Sequence, residues 1–319
     1  MKNWRSDFPI FSYQVDKPFV YFDNAATTQK PHVVLEVMNT FYTRYNTNVH
    51  RGLYGVAEAA TEQYEGVRSK VAHFINAAFP EEVIFTQGTT DSINTVAQIW
   101  ARHAIKAGDE IVVSMLEHHS NFVPWQELAR ANNAILKIIP VLPTGDLDYA
   151  LLPTLITPRT KLVAVTHVSN ALGTRVNVDV IIQEAKKVKA KVLVDGAQAV
   201  GFEHIDVQAL DCDFYAFSAH KVFGPTGVGV VYVKRSTQAE CIPYKFGGGM
   251  VHEVAPEVTT YAGAPHCFES GTPAIAQVIG LGAAIDYVAE IGIDALQVHT
   301  NGLVSQCIKG LTAIPGITV

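Results

Sequence analysis

The stretch DFYAFSAHKVFGPTGVGVVYV, Asp213–Val233, sets two short apolar runs on either side of a turn built from glycine and proline. Runs of this length bounded by turn residues read as buried strands. Between them, in SAHKVFGPTG (Ser218–Gly227), stands Lys221, flanked by Ser218, His220 and Thr226. Most lysines are solvated surface charges. An amine held where two apolar strands meet loses hydration instead, which favours the neutral form that attacks a carbonyl to make a Schiff base.

Among cofactors that need such a lysine, pyridoxal 5'-phosphate (PLP) also requires an acid for its ring nitrogen and a cup for its phosphate. Asp195 ends the apolar run of KVLVDGAQAVG (Lys191–Gly201), which reads as a buried parallel strand, and open α/β sheets bind ligands at that carboxyl edge. A carboxylate there can keep a pyridine nitrogen protonated, although an Asp-Gly pair is equally explained by a plain turn. Gln198, three residues on, can reach the ring's phenolic oxygen. EVIFTQGTTDSIN (Glu82–Asn94) reads as strand, glycine turn and the start of a helix running through Ala104. Thr89 and Thr90 fall where free N–H groups and the helix dipole favour an anion; helix capping alone explains the same residues. Ser218 and His220 offer further phosphate donors. In SMLEHHSNFVPWQ (Ser114–Gln126) the strand EIVVS (Glu110–Ser114) runs into His118 and His119, either of which can stack on a ring and shuttle protons near neutral pH. No HExxH spacing or Cys/His quartet accompanies the pair, so no metal site is read. KLVAVTHVSN (Lys161–Asn170) reads as a further strand ending at Asn170, placed for a ring oxygen or a substrate carboxylate.

Nine motifs follow one another through essentially the whole chain: DNAATT (Asp23–Thr28), NVHRG (Asn48–Gly52), QGTTDSIN, EHHSNFVPWQ, HVSNALGT, VDGAQA, DCDFYAFSAHKVFGPTG, GGGMVHEV (Gly247–Val254) and ESGTP (Glu269–Pro273). Together they resemble the group II cysteine desulfurases of the SufS and CsdA type, within the class V aminotransferase superfamily of fold-type I PLP enzymes. The resemblance implies an α/β fold whose mainly parallel sheet is covered by helices on both faces, with an incomplete small C-terminal domain. It implies that Lys221 carries PLP, Asp195 pairs with the pyridinium, Gln198 contacts the ring oxygen, and His118 stacks and shuttles protons. Thr90, Ser218 and His220 resemble phosphate ligands, and Thr272 one donated across the interface of a homodimer. Asn170 and the backbone near Ala25 and Ala26 line the substrate side, and His50 and Arg51 fall where the family builds its active-site entrance.

The implied activity converts L-cysteine to L-alanine and passes sulfur to an enzyme persulfide, for sulfur mobilisation such as iron–sulfur cluster assembly, with a SufE- or CsdE-type acceptor as partner. The alternatives are a selenocysteine lyase acting on L-selenocysteine, another superfamily enzyme, or a non-catalytic PLP-binding or interaction protein. One departure bears on activity: the family's catalytic cysteine and the arginine for the substrate carboxylate lie in a C-terminal region, whereas this chain ends at TAIPGITV. The expectation is an N-terminal segment (1–20) associated with the small domain, a large PLP-binding domain (21–292) and a remnant of a truncated small domain (293–319). Such a chain should hold the cofactor yet release little or no sulfide. Cys212 reads as a core thiol, Cys241 and Cys307 lie in no motif, and Cys267 precedes the ESGTP loop.

The composition agrees. The 319 residues are 48% hydrophobic and 17% charged, as in a compact soluble protein able to bury a large core. Net charge is −6 without a basic tract, which argues against nucleic acid or a membrane surface as partner. Four cysteines without paired spacing, and an N-terminus lacking an apolar stretch, point to the cytoplasm. Helices are expected at Pro31–Tyr45 and Ala57–Asn76, the latter burying Val67, Val71, Phe74 and Ile75, before helix and strand alternate through Val233. The Gly247–Gly249 triplet reads as the start of a hairpin that reaches across the dimer.

Overall fold

The computed structural model describes residues 4–13 and 19–319; residues 1–3 and 14–18, part of the expected N-terminal segment, lie outside the described residues. Its centre is a seven-stranded sheet built from β1 (Val83–Thr86), β2 (Glu110–Ser114), β3 (Ile135–Ile139), β4 (Thr160–Thr166), β5 (Lys191–Asp195), β6 (Phe214–Ser218) and β7 (Gly229–Val233). The spatial order is β1–β7–β6–β5–β4–β2–β3. Only β7 opposes its neighbours, pairing antiparallel with both β1 and β6. All other pairs are parallel.

The apolar runs are continuous because both sheet faces are buried. Val192 and Val194 of β5, with Tyr215 and Phe217 of β6 and Val230 and Tyr232 of β7, enter a core beneath helices Gly55–Phe74, Val178–Lys187 and Ile275–Ile291. The alternate residues Leu193, Phe214, Ala216, Val231 and Val233 enter a second core with Ile93, Val96, Trp100 and Trp125, from the segments Thr89–Ala104 and Val123–Asn132. In the helix Gly55–Phe74, Val67 and Val71 are buried, as the spacing predicts. The earlier helix is shorter than expected: α-helix covers His32–Thr40, and a wider π-type turn takes Phe41–Tyr45.

Parallel strands bring their carboxyl ends to one edge, so Thr86, Ser114, Thr166, Asp195 and Ser218 are placed there together. Gly229, first residue of β7, pairs with both Thr86 and Ser218 at that edge. A Cβ at Gly229 would lie 2.4 Å from Gly88 Cα, in the turn between β1 and the helix at Thr89. Gly229→Ala should therefore push that turn away and lower stability by about 1–3 kcal/mol. Denaturant unfolding tests this, and an unchanged midpoint would show that the turn moves freely.

Outside the main sheet, β8 (Val251–Val254) and β9 (Thr259–Tyr261) form an antiparallel hairpin after the Gly247–Gly249 triplet. Near the N-terminus, Trp4 and Phe8 set their rings edge-on to Tyr287, at 5.8 and 6.0 Å. The helix Ile275–Ile291 gives way at Gly292, with φ +86°, to a second helix, Ile293–Thr312, at 75° to the first. Among the described residues no single helix is long and apolar enough to cross a membrane.

Candidate active site

At the carboxyl edge of the sheet lies a cavity of about 460 Å³ lined by Lys221, Asp195, His118, Gln198, Asn170, Thr89, Thr90, Ser218, His220, Ala25 and Ala26. The sequence-derived residues thus converge, apart from three. Thr272 lines a different cavity with Gln87, Asp91 and Lys245, while His50 and Arg51 line neither. A third groove, lined among others by Thr90, Ser218, His220, Gln87, Asp91 and Gly227, shares residues with both cavities.

Each position has a local cause. Lys221 sits in the short helical turn Ala219–Lys221 that follows β6, and its Nζ donates to the carbonyl of Ala25. Burial lowers its pKa, against the opposing pull of Asp195 and Asp23. The segment holding Ala25 is clasped to the lysine turn: Thr28 N–H and Thr28 Oγ1 donate to His220 O at 2.9 and 3.0 Å, and Phe223 N–H donates to Thr28 Oγ1 at 2.8 Å. Gln198 Nε2 donates to the same Ala25 carbonyl at 2.8 Å. Lys30, which sequence reasoning missed, donates to the carbonyl of Thr28, and burial lowers its pKa to about 8.

Asp195 is 4% exposed, and burial pushes its pKa up to about 6 against the Ala197 N–H and the charge of Lys221. Oδ1 accepts that N–H at 3.0 Å; among the described residues Oδ2 has no partner.

Ser218 and the helix at Thr89 form a cup. Thr89 N–H donates to Ser218 Oγ, and the two hydroxyls also meet, both at 2.7 Å. Thr90 Oγ1 remains at the rim, 2.6 Å from Ser120 Oγ. His118 Nδ1 accepts the Ser120 N–H at 3.1 Å, and its pKa is lowered by burial first and then by His119 and Lys221. Glu117 fixes this loop from below: Ser114 Oγ and Asn121 Nδ2 donate to it at 2.5 Å, and Thr166 N–H at 2.9 Å. Burial still raises its pKa to about 8.

The expectation of a strand through Asn170 is corrected. β4 ends at Thr166, because the chain turns back with Gly173 N–H donating to Ser169 O at 3.0 Å and a bridge between Val168 and Arg175. Asn170 reaches the cavity from that loop. Asp23, Ser120 and Thr166 also line it and were not singled out. Asp23 belongs to DNAATT and Ser120 to EHHSN, so the motifs held them, but nothing along the chain marks where a hydroxyl points.

No cysteine lines the cavity. Cys212 is fully buried, burial raises Cys241 to about 12 and Cys267 to about 11, and Cys307 is exposed on the helix Ile293–Thr312. Away from the cavity, His50, Glu65 and His266 bring ligand atoms within 4.8 Å of one another. Both Glu65 oxygens, however, accept from Arg68, at 2.8 and 3.1 Å, which makes the group an ion-pair cluster.

A lysine between strands, a buried acid and a group of hydroxyls thus meet at one sheet edge of an α/β fold. Residues 20–319 match the aminotransferase class-V family, and the chain belongs to it, as a relative of its cysteine desulfurases. It is 48% identical to a cysteine desulfurase of Dickeya dadantii, over 98% of this chain and 76% of that relative. The cysteine desulfurase CsdA of Escherichia coli superposes with a TM-score of 0.91 at 40% identity, covering 98% of this chain and 77% of its own. C-DES, solved as a variant with glycine covalently linked to the PLP cofactor, superposes at 0.83 with 25% identity, over 98% and 80% of the two chains.

Proposed function

We propose that this chain binds PLP through Lys221 and acts on L-cysteine as a desulfurase, the reading carried by one observation: a lysine whose pKa burial lowers and an aspartate that offers its second carboxyl oxygen share a cavity with the hydroxyls of Thr90 and Ser218. The donor set fits the cofactor. A carboxylate in low dielectric suits a protonated ring nitrogen, and N–H groups at a helix start suit a phosphate. Bound there, the cofactor supplies an electron sink that allows the α-proton of an amino acid to leave and the carbon–sulfur bond to weaken.

The chain's own residues do the rest. Asp195 holds the proton on the ring nitrogen, while Thr90, Ser218 and His220 hold the phosphate. Gln198 and Asn170 offer amide N–H donors to the ring oxygen and the substrate carboxylate. Lys221 Nζ, its pKa lowered by burial against the pull of Asp195 and Asp23, would receive and return protons at the substrate carbon, and His118 would cover the ring and donate from Nε2. Thr272, His50 and Arg51 lie outside this cavity in one chain; they serve the site of a second copy in a two-fold dimer, whose Thr272 completes the cup.

Since no cysteine lines the cavity, the thiol that accepts sulfur reaches it from elsewhere. A second reading is a carbon–sulfur or carbon–selenium lyase that needs no acceptor thiol of its own, as the similar structure of C-DES, a cystine C–S lyase at 27% identity, suggests. Turnover by the PLP-loaded chain should be measured with L-cysteine, L-cystine and L-selenocysteine, each with and without added dithiothreitol. Alanine from L-cysteine that rises with the thiol supports the desulfurase; pyruvate from L-cystine, or thiol-independent alanine from L-selenocysteine, supports the lyase. No spectral response to any of the three amino acids would sink both.

A further inference from the structure

Ser120 joins two parts of the site that act separately in the reading above, the anion cup and the ring histidine. Its Oγ lies 2.6 Å from Thr90 Oγ1 and 2.9 Å from His118 Nδ1, and its N–H donates to that same Nδ1 at 3.1 Å. Nδ1 is thus an acceptor, and the neutral ring carries its proton on Nε2. Each hydroxyl has one proton to donate. Without an anion the chain of bonds runs from Thr90 to Ser120 to His118, and both Ser120 donors hold the ring neutral. An anion that draws the Thr90 proton to itself reverses the chain. Ser120 then donates to Thr90 Oγ1, and its oxygen becomes free to accept a proton held on Nδ1 once the ring turns that nitrogen from the Ser120 N–H to Ser120 Oγ.

We propose that Ser120 is a positioning residue that couples occupancy of the anion cup to protonation of His118, by reversing the Thr90–Ser120–His118 hydrogen-bond chain. The coupling rests on the cup being an anion site. Through it, a filled cup prepares His118 to give or take a proton, and an empty cup keeps the ring a neutral Nε2 donor. The other charged or titratable groups around His118 are Asp23, Glu117, His119, Asp195, His220 and Lys221, and Ser120→Ala removes none of them.

The test uses the full chain without PLP, labelled with ¹⁵N, and inorganic sulfate as the anion, because sulfate keeps its charge between about pH 5 and 8. The His118 ring nitrogens, assigned with His118→Gln, are followed against pH. Sulfate should strengthen proton binding to His118 about tenfold, one pKa unit. In Ser120→Ala less than half of that pKa shift should remain, the part due to charge alone, with sulfate still perturbing the amides of Gly88–Asp91. Ser120→Thr should restore the full shift. An equal shift in wild type and Ser120→Ala, with sulfate bound in both, overturns the coupling and leaves the cup intact. Absence of any sulfate response at Gly88–Asp91 in the wild type overturns the cup and the coupling together.

Discussion

Lys221→Ala is expected to abolish covalent retention of PLP and to lower any turnover by at least about 10³-fold, because one side chain both carries the cofactor and moves protons at the substrate. Fold stability should hardly change. Nζ makes one hydrogen bond, to Ala25 O, and that carbonyl keeps its bond from Gln198. The measurement is borohydride reduction of the PLP-loaded protein followed by peptide mass mapping, with the visible absorbance of the unreduced sample as a second reading. The wild type should carry the adduct on the peptide containing Lys221, and the variant should carry none. Lys30 supplies an internal control. Burial also depresses its pKa, to about 8, and it lies on the segment clasped to the lysine turn, so a merely reactive amine would be modified there. An adduct on Lys30 in wild-type protein would sink the assignment of Lys221. Lys30 donates to carbonyl oxygens of Thr28 and His220, whereas Lys221 lines the cavity opposite Asp195. Position in the cavity, not basicity, separates the two.

The difference between those lysines also shows what could be read along the chain. Lys221 was legible because β6 and β7 are buried on both faces, so their runs are apolar throughout and a charged residue between them stands out. Asp195 was legible for the same reason, at the end of β5. Asn170 was misplaced because its strand contains the same apolar alphabet, and only the turn at Ser169–Gly173 stops it. Ser120 and Lys30 were overlooked because their importance lies in partners chosen in space: a hydroxyl on a helix 30 residues earlier, and a carbonyl 190 residues away. Thr272, His50 and Arg51 could be named by motif, but their distance from the Lys221 cavity could not be seen until the chain was folded. The cluster around Arg68 gave no signal, since its parts read as an ordinary helical charge and an acid in a loop.

That cluster carries the largest expected effect on stability. Arg68 is 2% exposed and donates to five oxygens. Nη1 and Nη2 reach the two carboxylate oxygens of Glu269 at 2.7 and 2.9 Å, Nη1 also reaches Val83 O at 2.8 Å, and Nε and Nη2 reach Glu65. Glu269 in turn accepts the Phe85 N–H at 2.6 Å, so one guanidinium ties the helix Gly55–Phe74 to β1 and to the ESGTP loop. Removing it leaves a buried carboxylate without its counter-charge. Arg68→Met should therefore cost about 3–5 kcal/mol. Arg68→Lys should recover only part, because a single ammonium cannot present the planar fork that meets two carboxylates at once. Glu269→Gln combined with Arg68→Met should cost less than the two changes added, since the stranded charge is then gone. The same network sets an acid limit. Glu65 is held down to about 2, its hydrogen bonds from His50 and Arg68 outweighing burial, which pushes the other way. A carboxyl depressed in the folded state stabilises above its unfolded pKa and loses that contribution as pH falls through the folded value. Wild-type stability should thus decline between about pH 4.5 and pH 2, and the Arg68→Met protein should lose less over that interval. Denaturant titrations of both proteins across this range decide it: equal slopes would show that Arg68 does not hold Glu65 ionised, and a loss below about 1 kcal/mol at neutral pH would show that the cluster is no more than a solvated ion pair.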